Sequence, residues 1–163
     1  LARNEQLRLV HIRSEFMADK SDWMPFAQLK GWSPCITGTQ GVIVPEWAMP
    51  KKHEKVIVKK CFDGFINTEL EEFLIKKQIK HVLIAGLVTS ICVNLTAISA
   101  MQRGFLTTVI SDCISDDDKE SESYILNKLY GVFAYNTVKL QNIKDSYDTW
   151  VSQLHTMKTL KEQ

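Results

Sequence analysis

The chain has 163 residues, of which 45% are hydrophobic and 24% are charged, a composition typical of one globular domain. The formal net charge is only +1, so neither nucleic acid nor an anionic membrane surface is expected as the main partner. The longest apolar run, residues 82–88, is far shorter than the roughly 20 residues that a membrane-spanning helix needs.

The first third of the chain contains one strand and a long loop. The apolar run Leu7–Ile12 predicts a short strand. Between Phe16 and Pro50 lie all four prolines and three of the four tryptophans. Proline fixes φ and lacks an N–H donor, so this stretch is predicted to be mostly irregular, with room for one helical turn. Such a loop either forms a wall or lid of a binding site or covers a sheet edge, and the sequence leaves both interpretations open.

The middle of the chain alternates strands and helices. Val56–Val58 predicts a strand, and Thr68–Glu71 matches a capping box that begins a helix. Residues His81–Ala85 are typical of a buried strand, which Gly86 is expected to end. Cys92–Gln102 has the residue spacing of a helix.

The last third continues the same order. The sequence predicts a strand at Leu106–Ile110, a helix at Ser121–Tyr130 and a strand at Val132–Val138. An apolar stripe then predicts a closing helix, and it consists of Ile143, Tyr147, Trp150, Leu154 and Met157. Such a face must be buried against the sheet or against another subunit.

This alternation predicts the fold class. Strands rich in Val, Ile and Leu that alternate with helices indicate an α/β fold, a three-layer α/β/α arrangement around a mostly parallel sheet. No linker or repeat divides the chain, so a single domain over residues 1–163 is expected. In folds of this class, functional residues gather at the carboxyl ends of the strands.

Cys92 is the strongest candidate for chemistry. It is predicted to lie in the first turn of a helix, directly after a buried strand. The partial positive charge of a helix N-terminus favours a thiolate, and the N–H groups there can bind a developing oxyanion. The alternative is a buried cysteine that packs as a small apolar side chain, which is the commoner role of a lone cysteine.

Lys59 is the second candidate. It follows the strand Val56–Val58, whose carboxyl end is expected at the same edge of the sheet as Cys92. A cation there lowers the pKa of a thiol and polarises a substrate carbonyl. The alternative is a solvated lysine in a surface run with Lys55 and Lys60.

Other kinds of site find little support. No glycine-rich nucleotide fingerprint is present, the four histidines lack ligand spacing, and neither a metal nor a cofactor is expected. Asp116–Asp118 is interpreted as a solvated charge run that opens a helix, and His81 as the start of its strand. Four cysteines without a CxxC pair favour a reducing, cytoplasmic setting.

Two segments taken together resemble the isochorismatase-like cysteine hydrolases. Val58–Leu70 (VKKCFDGFINTEL) is similar to the lysine-bearing strand of that superfamily, with its aromatic-x-[AG]-Phe turn and Thr-x-Leu helix start. Residues 86–97 (GLVTSICVNLTA) are similar to its nucleophile turn, G-[IV]-x-T-x-x-C-V-x-x-T-A. Val109–Asp112 also resembles its next strand, and the likeness extends over about residues 7–140.

The resemblance implies a role for each matching residue. Cys92 would be the nucleophile and Lys59, six residues before Phe65, the catalytic lysine. A cis peptide bond would join Leu87 to Val88 and would aim the N–H groups of Val88 and Cys92 at the oxyanion. Phe65 and Thr89 would line the substrate pocket. Members of the superfamily commonly form dimers or tetramers, so a homo-oligomer is also implied.

The resemblance further implies a small-molecule substrate hydrolysed at a C–N bond through a thioester acyl-enzyme. The turn Asp63–Thr68 is most similar to the ureidoacrylate and carbamoyl-amide branch. A zinc-dependent nicotinamidase is not expected, because the corresponding loop carries Asp19 and Asp22 but no histidine. An inactive paralogue that serves as an oligomeric binding or scaffolding module is the alternative.

One part of the superfamily pattern has no counterpart in the sequence. The third catalytic residue of the pattern is an aspartate that ends the first strand, and no residue of this chain matches it. The implied strand order, 3-2-1-4-5-6, makes that strand a central one, lying between Leu7–Ile12 and His81–Ala85. We therefore expect a domain that is incomplete at its N-terminus, with unpaired strand edges that leave the 163-residue chain unstable by itself.

Overall fold

Strands and helices alternate along the chain in the predicted order. The computed structural model describes residues 2–4, 7–130 and 136–156, without the side chains of residues 136, 151 and 153–156. The chain divides into two compact units, Leu1–Leu70 and Glu71–Gln163. Because each unit has its own sheet, the two are described in turn.

The first unit contains two parallel strands and the long loop between them. Strands β1 (Val10–Ser14) and β2 (Lys55–Lys59) pair in register along their whole length. The loop holds one short helix, α1 (Pro25–Lys30), and two 3₁₀ turns. Proline suits the start of α1 because the first N–H groups of a helix have no acceptor within it.

The tryptophans of the loop divide into two kinds. Trp23 is buried with Phe16 and Ala27 in a small core, and its Nε1 donates to Met17 O at 2.8 Å. Trp32 and Trp47 are exposed, Trp47 by 83%. The predicted irregular loop with one helix is confirmed, whereas its two alternative roles stay predictions.

The second unit contains a three-stranded parallel sheet in the order β3–β4–β5. Its strands are β3 (His81–Leu87), β4 (Leu106–Ser115) and β5 (Asn136–Val138). Its helices are α2 (Leu70–Lys76), α3 (Asn94–Gln102), α4 (Lys119–Tyr124) and α5 (Ile143–Thr156), with π-helical segments at Thr89–Val93 and Ile125–Leu129.

Helices cover both faces of this sheet. Val109 of β4 packs in a cluster with Ala97 of α3 and Ile125. Its neighbour Ile110 points to the opposite face, where it packs against Ile143 and Trp150 of α5. Successive side chains of a strand alternate between faces, so the second unit has the predicted α/β/α layers. The α/β class with parallel sheets is confirmed.

Strand lengths differ from the prediction. Gly86 is expected to end β3, but the strand continues through it to Leu87. Gly86 adopts a φ of 132°, which residues with a side chain rarely adopt. β4 continues from Ile110 to Ser115 through an irregularity in its pairing. Ile84 pairs with Val109 and Gly86 with Ile114. An advance of two residues along β3 therefore corresponds to an advance of five residues along β4, as in a β-bulge. Of the predicted strand Val132–Val138, residues 132–135 lie outside the described residues, and the remainder forms β5.

β1 and β3 are each paired with a single strand in the described part of the chain. In the described part of the chain, β1 has a ladder partner only in β2, and β3 only in β4. The expected position for a further strand between them stays a prediction.

Helix α5 buries part of its apolar stripe in its own unit. Ile143 and Trp150 are buried against the sheet, whereas Tyr147 is 55% exposed. The side chains of Leu154 and Met157 lie outside the described residues. The sheet therefore receives the larger part of the described stripe, and the expected homo-oligomer stays a prediction. Among the described residues, no helix is both long and apolar enough to span a membrane.

His81 makes the stability of the second unit sensitive to pH. Its Nε2 lies 2.9 Å from Thr108 Oγ1, and its ring meets the Trp150 ring edge-on with centroids 4.9 Å apart. Burial lowers the pKa of His81 to about 4. Protonation therefore favours the unfolded chain, in which the pKa is about 6.5.

We expect stability to be complete above pH 6.5 and to fall as the pH drops toward 4, by about 2 kcal/mol after allowance for partial solvent access. Urea unfolding at pH 7.5 and pH 5 measures the loss. His81→Gln should reduce it, and the exposed His53→Gln should not. Equal losses in the parent and His81→Gln would contradict this origin.

Candidate active site

Cys92 lies in the turn that joins β3 to α3. The peptide bond between Leu87 and Val88 is cis, as the resemblance implies. The chain then enters the π-helical segment Thr89–Val93, which continues into α3. Half-buried Cys92 thus occupies the first turn of a helical segment after a strand, as predicted. The turn is wider than the expected α-helical one, since Val93 N donates to Val88 O, five residues back, at 3.1 Å.

Hydrogen bonds within the protein already use three N–H groups of this turn. The N–H groups of Ile91 and Val93 both donate to Val88 O, at 3.3 and 3.1 Å. The N–H of Ser90 donates to Asp116 Oδ2 at 2.7 Å. These three groups are committed to acceptors of the chain and are therefore poor donors to an oxyanion.

Asp116 is a buried part of this turn, and its interpretation as a solvated residue is wrong. It is 7% exposed and directly follows β4, so its carboxylate lies inside the unit. Burial raises the pKa of Asp116, but hydrogen bonds from Ser90, Asp118 and Asp117 together outweigh that effect and lower the pKa to about 2. The interpretation holds for Asp117, which is exposed, and for Asp118, which caps α4 through Glu120 N at 3.1 Å.

Thr89, three residues before Cys92, is fully buried. Its hydroxyl oxygen has no hydrogen-bond partner in the described part of the chain. An unsatisfied buried hydroxyl costs about 1–3 kcal/mol, so such groups are uncommon in proteins. Its assignment to a substrate pocket stays a prediction.

Lys59 is buried at the end of β2, so its interpretation as a solvated lysine is wrong. It is 5% exposed, and its Nζ donates to Cys61 O at 2.7 Å and to Phe62 O at 2.9 Å. In a strand, residues two apart share a face, and Lys59 shares one with the buried Ile57. The solvated interpretation fits Lys60, which is exposed and pairs with Asp22 at 2.6 Å.

Local hydrogen bonds fix the turn that follows β2. Asp63 Oδ1 accepts from Phe65 N at 2.8 Å. The Thr68 hydroxyl donates to Gly64 O at 2.6 Å and accepts from Leu70 N at 3.3 Å, where α2 begins. Phe65 is buried as a result. The helix start predicted at the capping box is confirmed.

The predicted site residues thus form two groups. Lys59 and Phe65 belong to the first unit, and Val88, Thr89 and Cys92 form one turn of the second. Their catalytic and binding roles stay predictions. Within the described residues, no group of three or more His, Cys, Asp or Glu side chains is placed to hold a metal ion.

Comparison with known proteins identifies the family. The model of the isochorismatase domain matches residues 1–138. This chain belongs to the isochorismatase family. Its fold is similar to the crystal structure of an isochorismatase family protein from Desulfovibrio vulgaris, with a TM-score of 0.82 and 25% sequence identity, over 90% of this chain and 78% of that one.

Two curated relatives are amidohydrolases. The maleamate amidohydrolase of Pseudomonas putida is 28% identical, over 80% of this chain and 64% of that protein. The ureidoacrylate amidohydrolase of Yersinia enterocolitica is 27% identical, over 66% of this chain and 40% of that protein. The family thus consists of hydrolases that include enzymes acting on amides. The chain spans about half to two thirds of the first curated relatives that it matches.

Proposed function

We propose that the protein is a cysteine-dependent hydrolase of a small amide or ureido compound, with Cys92 as its nucleophile. The observation that carries this proposal is the place of Cys92 in the first turn of the helical segment that follows β3. Membership of a hydrolase family that includes amidohydrolases supports the reaction class.

The reaction begins when the thiolate of Cys92 attacks the carbonyl carbon of the substrate. The negative charge that forms on the carbonyl oxygen receives hydrogen bonds from the N–H groups of Val88 and Cys92. The C–N bond breaks, the nitrogen leaves with a proton as ammonia or an amine, and a thioester remains. Water then attacks the thioester, releases the acid and restores the thiol. No residue of this chain is assigned as the proton shuttle.

Lys59 contributes a fixed positive charge in this proposal. Two carbonyl oxygens, those of Cys61 and Phe62, hold its ammonium group at the end of β2. A fixed ammonium stabilises negative charge on the thiolate and on the oxyanion with little reorganisation, because its position is set before the substrate binds. Phe65 and Thr89 are proposed to line the pocket.

The substrate class follows from the relatives and remains broad. Maleamate and ureidoacrylates are the first compounds to test, N-carbamoyl amides are added because of the resemblance of the turn Asp63–Thr68, and nicotinamide is the comparison. The proposal requires no metal and no cofactor. It places the protein in a reducing, cytoplasmic setting as a homo-oligomer, and all four cysteines remain thiols in the structure.

Cys92 should be the most reactive thiol of the chain. Burial and the charge of Asp112 raise the pKa of Cys113, which therefore serves as a slow internal reference. Limited labelling with iodoacetamide at neutral pH, followed by peptide mapping, should modify Cys92 first. If Cys35, Cys61 or Cys113 is modified before Cys92, the assignment of the nucleophile is wrong.

The same labelled peptide provides the test of the function. Turnover of an amide or ureido compound should release ammonia or an amine, and rapid acid quenching should trap an acyl group on the Cys92 peptide. A substrate should also protect Cys92 from iodoacetamide. If no compound is hydrolysed and none adds mass to this peptide, the inactive scaffolding alternative is favoured.

A further inference from the structure

One carboxylate connects the end of β4 with the nucleophile turn. Asp116 directly follows β4, and its Oδ2 accepts a hydrogen bond from Ser90 N at 2.7 Å. A charged group that is 93% buried is costly unless hydrogen bonds compensate for its lost hydration. The hydrogen bond from Ser90 N therefore helps to compensate for the burial of the Asp116 carboxylate.

We propose that Asp116 is a positioning residue that fixes the turn carrying Cys92. The first N–H groups of a helical segment have no acceptor inside that segment, and Ser90 lies in this position. Asp116, which lies outside this segment, accepts the hydrogen bond from Ser90 N. Ser90 is two residues before Cys92, so this bond holds the part of the turn next to the nucleophile. This inference rests on the proposed function, because it gives Cys92 the role of nucleophile.

The carboxylate is itself held in place from the other side. Its Oδ1 accepts from Asp118 N at 3.2 Å, and the N–H of Asp116 donates to Glu122 Oε2 at 2.6 Å. Glu122 belongs to α4, and Asp118 is the residue that caps this helix. The position of the nucleophile turn is thus tied to the start of α4 through Asp116.

The hydrogen bond between Ser90 N and Asp116 also affects the other N–H donors of the turn. The N–H of Ser90 donates to Asp116, and the N–H groups of Ile91 and Val93 donate to Val88 O. These three hydrogen bonds together fix the backbone conformation of the turn. Loss of the carboxylate releases the N–H of Ser90, which then needs another acceptor. Displacing a reacting group by about 1 Å can cost on the order of 10²-fold in rate.

Charge and position give different expectations for variants of Asp116. Asparagine keeps an oxygen that accepts from Ser90 N but removes the negative charge. Alanine removes both. If Asp116 acts by position, Asp116→Asn resembles the parent and Asp116→Ala does not. If it acts by charge alone, both variants lower the pH at which Cys92 ionises, because a nearby negative charge disfavours the thiolate.

The test measures kcat and the pH profile of Cys92 alkylation by iodoacetamide, with Cys113 as reference in each sample. For Asp116→Ala we expect kcat to fall by about 10- to 100-fold and the alkylation midpoint to move to higher pH. Asp116→Asn should keep at least about one third of the parental kcat. Asp148→Asn is the matched control, since it removes an exposed carboxylate of the same unit that lies outside this set of hydrogen bonds.

Three results would overturn the inference. They are parental kcat and midpoint in Asp116→Ala, equal shifts to lower pH in both Asp116 variants, or the same loss in Asp148→Asn. If Asp116→Ala does not fold, Asp116→Glu takes its place, because it keeps the charge and displaces the carboxylate. Parental kcat and midpoint in Asp116→Glu would then overturn the inference.

The proposed function fails separately. If Cys92→Ala retains turnover, the proposed function is wrong, whatever the Asp116 variants do. If Cys92→Ala is inactive and Asp116→Ala behaves as the parent, only the positioning role is wrong.

Discussion

Cys92→Ser is expected to lower kcat by about 10³-fold or more on any amide that the parent hydrolyses. A serine hydroxyl ionises far above neutral pH, and this turn would have to activate it without the acidity of a thiol. Serine is close to cysteine in size, and Cys92 is only half-buried, so the fold should be retained. Steady-state release of ammonia measures the rate, and thermal unfolding checks the fold.

Cys113→Ser is the matched control for this substitution. Cys113 lies in β4 and is also partly buried, so it tests the cost of replacing a thiol by a hydroxyl in the same unit. Its kcat should remain within about 2-fold of the parental value. Substantial turnover by Cys92→Ser, with no acyl group on residue 92, would remove cysteine chemistry from the proposal.

Lys59→Met is expected to lower kcat by about 10²-fold or more, since it removes the ammonium and keeps a side chain of similar length. Lys60→Met is the matched control one residue away. Lys60 is exposed and pairs with Asp22, a surface contact worth about 1 kcal/mol or less, so its loss should leave kcat unchanged. Initial rates at saturating substrate for the three proteins measure the difference.

The burial of Lys59 adds a cost in stability to this experiment. Methionine cannot donate to the carbonyl oxygens of Cys61 and Phe62, and each unsatisfied buried group costs about 1–3 kcal/mol. Rates are therefore compared at a temperature where circular dichroism shows that all variants are folded. Lys59→Arg, which keeps a cation, should recover part of the rate. Near-parental kcat/KM in a folded Lys59→Met protein would refute the catalytic role.

The order of strands and helices could be predicted because it depends on local patterns. Val56–Val58 and His81–Ala85 are apolar runs of strand length, and the Thr68 capping box gives the start of α2 correctly. The limits of the strands depend on tertiary pairing. β4 continues past the predicted end at Ile110 because Ile114 and Ser115 pair with Gly86 and Leu87 at the end of β3, which the local sequence does not show.

The candidate site could be predicted only in part. The position of Cys92 left a packing role open, and the resemblance was needed to favour a nucleophile. The burial of Lys59 had a local signal that the lysine run obscured, namely its spacing of two from Ile57 in the same strand. Asp116 had no comparable signal, because three successive aspartates are usually solvated. Its burial depends on where the end of β4 lies next to Ser90.

The irregular pairing of β4 constrains how the length of this strand can change. Val109 and Ile114 are five residues apart, and in a regular strand they would point to opposite faces. Both instead pack in the same cluster, because the extra residues between them restore the inward direction. Deleting one residue from 110–113 would place Val109 and Ile114 four residues apart, the spacing at which a regular strand turns both side chains to one face, so Ile114 could stay in the core without the irregular pairing. Deleting two residues would leave an odd spacing of three, and Ile114 would again need an irregularity in the pairing to reach the core.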